Sequence, residues 1–233
     1  MPTELLIACL IALLPTFIIF LVLFFLGMED TLWSIFGLGI LGWIIALLLR
    51  IIPLQTPAKI YGLEFTSTFW NLLYTSILAG VFEESIRYIL MKKVWFIRQS
   101  FRHITSFGLG WGFGEAAIIY VGALTSLWMM GKHLTLLEML PGAVERNLAV
   151  VIHVALTFIL FKAMVSLRFL WFAMGIHAGV DLLAAVSHYT YHLPVWIVEG
   201  VLALASLTIL FYAYILVKGL TPTSYLNLSG LGE

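Results

Sequence analysis

From about Thr66 to Met91 the chain is apolar for long enough to cross a bilayer, yet VFEESIRYILMK at 81–92 places Glu83, Glu84 and Arg87 inside that run. A spanning helix needs about 20 residues, and each charged group at mid-bilayer costs roughly 2.5–3.5 kcal/mol. Such groups are tolerated where they face a protein interior or a water cavity. The stretch therefore demands other helices around it and marks where chemistry is concentrated.

Composition agrees. Of 233 residues, 62% are hydrophobic and 10% charged, against about 25% charged in an ordinary soluble domain. The expected class is an all-α integral membrane protein. Apolar runs at 4–27, 31–52, 67–91, 105–130, 145–162, 168–187 and 194–217 predict about seven transmembrane helices. The breaks between them are GMED at 27–30, the segment of Pro53 and Pro57, the basic stretch at 92–103, GKHLTLLEMLPG at 131–142, and Pro194. This organisation predicts a polytopic domain over 1–218, with a site-bearing core at about 66–187, and a short solvated tail over 219–233. The first run has no positive n-region and exceeds a signal-peptide core, so it reads as a retained span. Twelve basic residues balance twelve acidic ones, which gives no basic excess for nucleic acid. A single cysteine, Cys9, excludes an intramolecular disulfide framework. Lys92, Lys93, Arg98, Arg102, Lys162, Arg168 and Lys218 fall on one side, with fewer cations, Arg50, Lys59, Lys132 and Arg146, on the other. The positive-inside rule then places the N-terminus outside and the C-terminus in the cytoplasm.

The ionisable residues expected at membrane depth are Glu83, Glu84 and Arg87 on the third helix, Glu115 on the fourth, His153 on the fifth, and His177 and Asp181 on the sixth. Glu145 and Arg146 begin the fifth; helices one, two and seven contribute none within their cores. A polar site built by helices three to six follows. Arg87 is three residues from Glu84 and four from Glu83, so its guanidinium reaches either carboxylate on one helical face. His177 and Asp181 are four apart, an arrangement in which a carboxylate orients the imidazole and leaves its other nitrogen free. Arg146 and His153 share a face, whereas Glu145 turns aside. Gly108, Gly110, Gly112 and Gly114 permit close helix approach and would bring Glu115 against the third or sixth helix. Gly175 and Gly179 would do the same for the sixth. The carboxylates outnumber the arginines at this depth, and at the cost given above the excess is comparable with a whole protein's stability of about 5–15 kcal/mol. A cation, protonation or water must compensate. Trp33, Trp43, Trp95, Trp128 and Trp196 read as an interfacial belt, and His103, His133, His188 and His192 as solvated loop residues.

Taken in order, the acidic pair with Arg87, the glycine-rich segment ending in Glu115, Glu145–Arg146 followed by His153, and His177-x-x-x-Asp181 resemble the YhfC group of intramembrane metalloproteases. That group is related to the CPBP, or CAAX-prenyl-protease-like, enzymes, to the PrsW proteases and to the non-catalytic scaffold subunit of the presenilin complex. The resemblance spans about residues 80–185. It implies that Glu83 is the general base on a water, that Glu84 and Arg87 shape the site, and that His153 positions the water or binds metal. His177 and Asp181 match the motif that in CPBP proteases meets the substrate carbonyl. Two departures stand out: two residues separate Glu84 from Arg87 where the CPBP pattern has three, and Asp181 replaces Asn. An ionised Asp cannot donate to an oxyanion, so orienting His177 is its better assignment.

The leading expectation is an inner-membrane peptidase, bacterial or archaeal, acting on a membrane-associated protein or peptide. Its cofactor would be a divalent metal, zinc, on Glu84, His153 and His177, with Glu115, Glu145 and Arg146 in support. A metal-free version uses glutamate and histidine alone, and no HExxH fixes a zinc site independently. The alternatives are a scaffold that binds partner transmembrane helices within a membrane-protein complex and, with no internal repeat in its favour, a proton-coupled transporter.

Overall fold

The computed structural model describes residues 2–218; the expected tail over 219–233 lies outside them. The described residues form seven helices and no strand: α1 (Thr3–Gly27), α2 (Thr31–Tyr61), α3 (Phe69–Lys93), α4 (Phe101–Met129), α5 (Leu136–Ala163), α6 (Arg168–Thr190) and α7 (Val195–Val217). Six are long and apolar enough to cross a membrane. The other, α3, has 25 residues and carries Glu83, Glu84 and Arg87. The outer faces are apolar, with Leu26, Ile52, Leu204 and Phe211 exposed, as a lipid-facing surface requires.

Two helices are longer than expected. α2 does not stop before Pro53 but runs through both prolines to Tyr61. Pro57 has no N–H for the carbonyl of Pro53, and that carbonyl instead accepts a hydrogen bond from the Tyr74 hydroxyl of α3 at 2.9 Å. A freed backbone group is re-satisfied by a neighbouring helix, which is how membrane helices tolerate proline. α5 starts at Leu136 and not at 145, because Thr135 and Glu138 form a capping box in which the Glu138 carboxylate accepts from the Thr135 N–H at 2.8 Å.

α5 is the central post, packed against α1, α4, α6 and α7, while α2 packs on α4 and α3 on α6. The alternating glycines of α4 divide between two neighbours. A Cβ on Gly108 or Gly112 would lie 2.9 Å from the backbone of Val154 or Val150 on α5, and one on Gly110 would lie 2.0 Å from the Phe36 carbonyl of α2. Close approach thus sets Glu115 against α5, not against the third or sixth helix. Gly175 and Gly179 face open space. The tight contact between α3 and α6 is made by Gly80, whose Cβ would meet the Met174 carbonyl at 2.5 Å. Trp43 and His103 are also buried. Trp43 belongs to the core, and His103 is hydrogen-bonded to Ser100 and Thr31; both differ from the belt and solvated-loop expectations because α2 and α4 lie in backbone contact.

Gly110→Ala is expected to lower stability by about 1–3 kcal/mol through forced separation of α2 and α4. Gly179→Ala should stay within about 0.5 kcal/mol. Thermal unfolding of the two variants in detergent, followed by circular dichroism, checks both.

Candidate active site

The site is built on α3. Its adjacent glutamates point to different partners, as residues about 100° apart on a helix must. Glu84 and Arg87 are fully buried and paired, with Arg87 Nη1 donating to both carboxylate oxygens at 2.9 and 2.8 Å. Nη2 of Arg87 donates to Nδ1 of His153 on α5 at 2.8 Å, and the guanidinium carbon lies 4.4 Å from the centroid of the Trp111 ring of α4. The other oxygen interaction of Glu84 runs to α6, where His177 Nδ1 donates to Oε1 at 2.7 Å. One pair of charges therefore ties α3 to α4, α5 and α6.

Glu83 points elsewhere. Its Oε1 lies 2.7 Å from Nη1 of Arg50 on α2, and its Oε2 accepts from the Trp111 indole N–H at 3.0 Å. Glu115 holds α4 to α5 by accepting from Arg146 at 2.6 Å and from Nε2 of His153. Arg146 also pairs with Glu145. Asp181 is 3.7 Å from His177 Nε2, an ion-pair separation, so the contact that orients His177 comes from Glu84 and not from Asp181. Glu115 is the last α-helical residue of α4 before a π-helical turn at Ala116–Val121, a local widening of the kind that recurs at functional sites.

These groups surround a cavity of about 300 Å³ lined by Arg50, Glu83, Glu115, Glu145, Arg146, His153, His177 and Asp181. Glu84 and Arg87 do not line it; they stand behind Glu83, His153 and His177. Leu54, Thr75, Ser76, Ala184 and Ala185 extend the wall toward the end of the bundle where α2 finishes and α3 begins.

Three residues of this site escaped the sequence reading. Arg50 resembles a loop charge in the sequence, because Pro53 just after it signals the end of the second helix. Trp111 lies within the glycine-rich segment, whose small-residue spacing signals close packing and names no hydrogen-bond donor. Glu199, discussed below, lies five residues into α7, a helix taken to be free of charge; a carboxylate so placed was itself the signal.

Glu83, His153 and His177, all buried, each present one ligand atom within 4.8 Å of the others. The carboxylate of this group is Glu83, where Glu84 had been expected; Glu84 is taken up by Arg87 and His177. A comparison with known protein families matches residues 10–132 to the YhfC intramembrane metalloprotease family. The chain belongs to that family. Glu83, Glu84, Arg87 and Glu115 fall inside the match, and His153, His177 and Asp181 join them through the geometry of the bundle. No curated protein and no solved structure matches the chain.

The family implies a divalent metal, and in donor type and spacing the Glu83, His153 and His177 group fits one, since catalytic zinc takes three protein ligands and keeps an open position. His177 already has the required tautomer. Glu84 accepts from its Nδ1–H, which leaves the Nε2 lone pair free, a common support for a ligating histidine. His153 carries a condition. A guanidinium only donates, so Nδ1 of neutral His153 is an acceptor and its proton sits on Nε2, toward Glu115. For His153 to lend Nε2 to an ion, Arg87 has to release Nδ1.

Replacing Arg87 with Met should cost about 3–5 kcal/mol, because it leaves the Glu84 charge buried and unpaired, whereas Arg50→Gln, at the cavity edge, should cost less than half of that. Thermal unfolding in detergent separates the two. Equal losses would show that burial of the pair does not govern stability.

Proposed function

We propose that the chain is an intramembrane peptidase that hydrolyses a peptide bond of a membrane-associated protein or peptide, with Glu83 as general base. The observation that carries this reading is the convergence of Glu83, His153 and His177 on one point of a cavity wall inside an apolar bundle, in a chain of the YhfC intramembrane metalloprotease family.

In this reading the attacking water sits between Glu83 and Nε2 of His177. Glu83 takes its proton as the water oxygen bonds to the scissile carbonyl carbon, and returns that proton to the leaving amine as the C–N bond breaks. Arg50 lines the cavity beside Glu83 and always presents N–H donors; it supplies the countercharge to Glu83 and meets the developing oxyanion. The Trp111 indole fixes the other oxygen of Glu83. Glu84 and Arg87, behind the cavity wall, position His177 and His153, while Glu115 and Arg146 hold His153 from the cavity side. In the metal-assisted form of this reading a divalent ion would be held by Glu83, His153 and His177 and would supply Lewis acidity toward a carbonyl and lower the pKa of a bound water; Glu83 then serves as a ligand, and the general-base role given above belongs to the metal-free form. Zinc suits that donor set. The loop charges support a multi-pass orientation with the N-terminus outside and the C-terminus in the cytoplasm.

Glu83→Gln should reduce cleavage of a transmembrane reporter peptide in proteoliposomes by about 10²- to 10⁴-fold, the usual scale of general-base loss, with the helical content and unfolding temperature kept. A variant that cleaves at the wild-type rate would overturn the assignment. Elemental analysis of protein purified without chelators should find about one divalent ion per chain, lost in His177→Ala, as a three-ligand site requires.

A further inference from the structure

A second cavity, of about 480 Å³, shares Arg50, Glu115, Glu145, Arg146 and Asp181 with the first and continues it toward the C-terminal turn of α6 and the start of α7. Its far wall contains Glu199, five residues into α7. Glu199 is only 7% exposed, and its Oε2 is buried without a hydrogen-bond partner among the described residues. Three of the other carboxylates on these walls are paired. Glu83 has Arg50 and Trp111, Glu115 has Arg146 and His153, and Glu145 has Arg146; Asp181, 3.7 Å from His177 Nε2, keeps 42% of its side chain exposed. Both arginines of the two cavities are thus taken, and among the described residues Glu199 is the buried carboxylate left with an unpartnered oxygen.

An ionised carboxylate removed from water without a partner is costly unless it takes up a proton or a cation enters, and a cation that enters gains the pairing that the bundle leaves unmade. The position of Glu199 suggests which cation enters. Glu199 lies about one turn from the end of a spanning helix, at the level where lysine and arginine side chains of membrane segments reach toward the interface. Glu83 lines the first cavity and Glu199 the second, and the two share the wall of Arg50, Glu115, Glu145, Arg146 and Asp181. We propose that Glu199 forms a cation-accepting subsite that takes a lysine or arginine side chain of the substrate while the adjoining backbone extends toward Glu83. This rests on the peptidase reading for the identity of the ligand, and it makes Glu199 a specificity-determining residue with no part in bond cleavage.

Binding can be measured apart from cleavage. The probes are labelled, apolar helical peptides of about 24 residues, long enough to span a bilayer, with a single Lys walked along the sequence and a matched series with Gln at each position. Affinities are measured by fluorescence anisotropy for the Glu83→Gln protein in lipid nanodiscs, with and without Glu199→Gln or Glu199→Lys. The expected result is that the best Lys register binds about 10- to 100-fold more tightly than its Gln counterpart, the range of a charge-assisted hydrogen bond. Glu199→Gln removes that preference and Glu199→Lys reverses it, with circular dichroism confirming that each variant is folded. A preference unchanged by Glu199→Gln, equal affinity for both series, or no binding of any peptide overturns the subsite. If the preference behaves as expected and the protein with Glu83 intact cleaves none of the bound peptides, the peptidase reading fails on these substrates while the cation subsite stands. Should a misfolded Glu199→Gln protein leave only Glu199→Lys to measure, retention of the Lys preference in that variant overturns the proposal equally.

Discussion

The buried pair of Glu84 and Arg87 is the contact on which the rest of the structure depends. Both side chains are fully removed from solvent, in a helix that would otherwise sit easily in lipid. Taking two charges out of water is costly enough that attraction between them compensates only when their remaining hydrogen-bonding capacity is also used. The bundle meets that condition with groups from three other helices. His153 of α5 accepts from Arg87, His177 of α6 donates to Glu84, and the Trp111 ring of α4 lies against the guanidinium. Each partner is thereby fixed in place and in tautomer. The same arrangement that makes the charges tolerable also orients the imidazoles.

Neighbours in sequence are placed in different surroundings because of this. Glu84 is consumed by the architecture, and Glu83, turned by about 100° on the helix, is left facing the cavity. Its partners come from the other side, Arg50 of α2 and Trp111 of α4. The glycine contacts of α4 with α2 and α5 serve the same end, since a Cβ at these crossings would widen the bundle and pull Trp111 and Glu115 away from Glu83 and His153. Close packing of the backbones is what allows a charge network of hydrogen-bond length to exist inside an apolar shell.

Much of this was legible in the residues. The seven helices followed from apolar run length, and the pairing of Arg87 with one glutamate followed from a spacing of three or four. The choice between Glu83 and Glu84 did not, because both spacings put a carboxylate within reach of the guanidinium. Nor did the partner of Glu115, since four alternating glycines license close approach on two faces without naming the neighbour on either. The prolines of α2 misled for a physical reason: their helix-breaking effect is local, and the Tyr74 hydroxyl that answers it comes from another helix. Arg50 was lost with the helix end it seemed to mark.

The sequence by itself determined that the chain is an apolar helical bundle, that its charges must face inward on a few helices, and that those charges include acids, arginines and histidines. These follow from transfer free energies and helical periodicity, which are properties of single segments. Tertiary structure alone decided which carboxylate stands in the cavity, which ring nitrogens are left free, that Arg50 lines that cavity and Glu199 the adjoining one, and that Trp111 donates to Glu83. Those outcomes depend on distances between residues 28 to 93 positions apart in the chain, set by how closely the helices approach one another, and no local pattern encodes them.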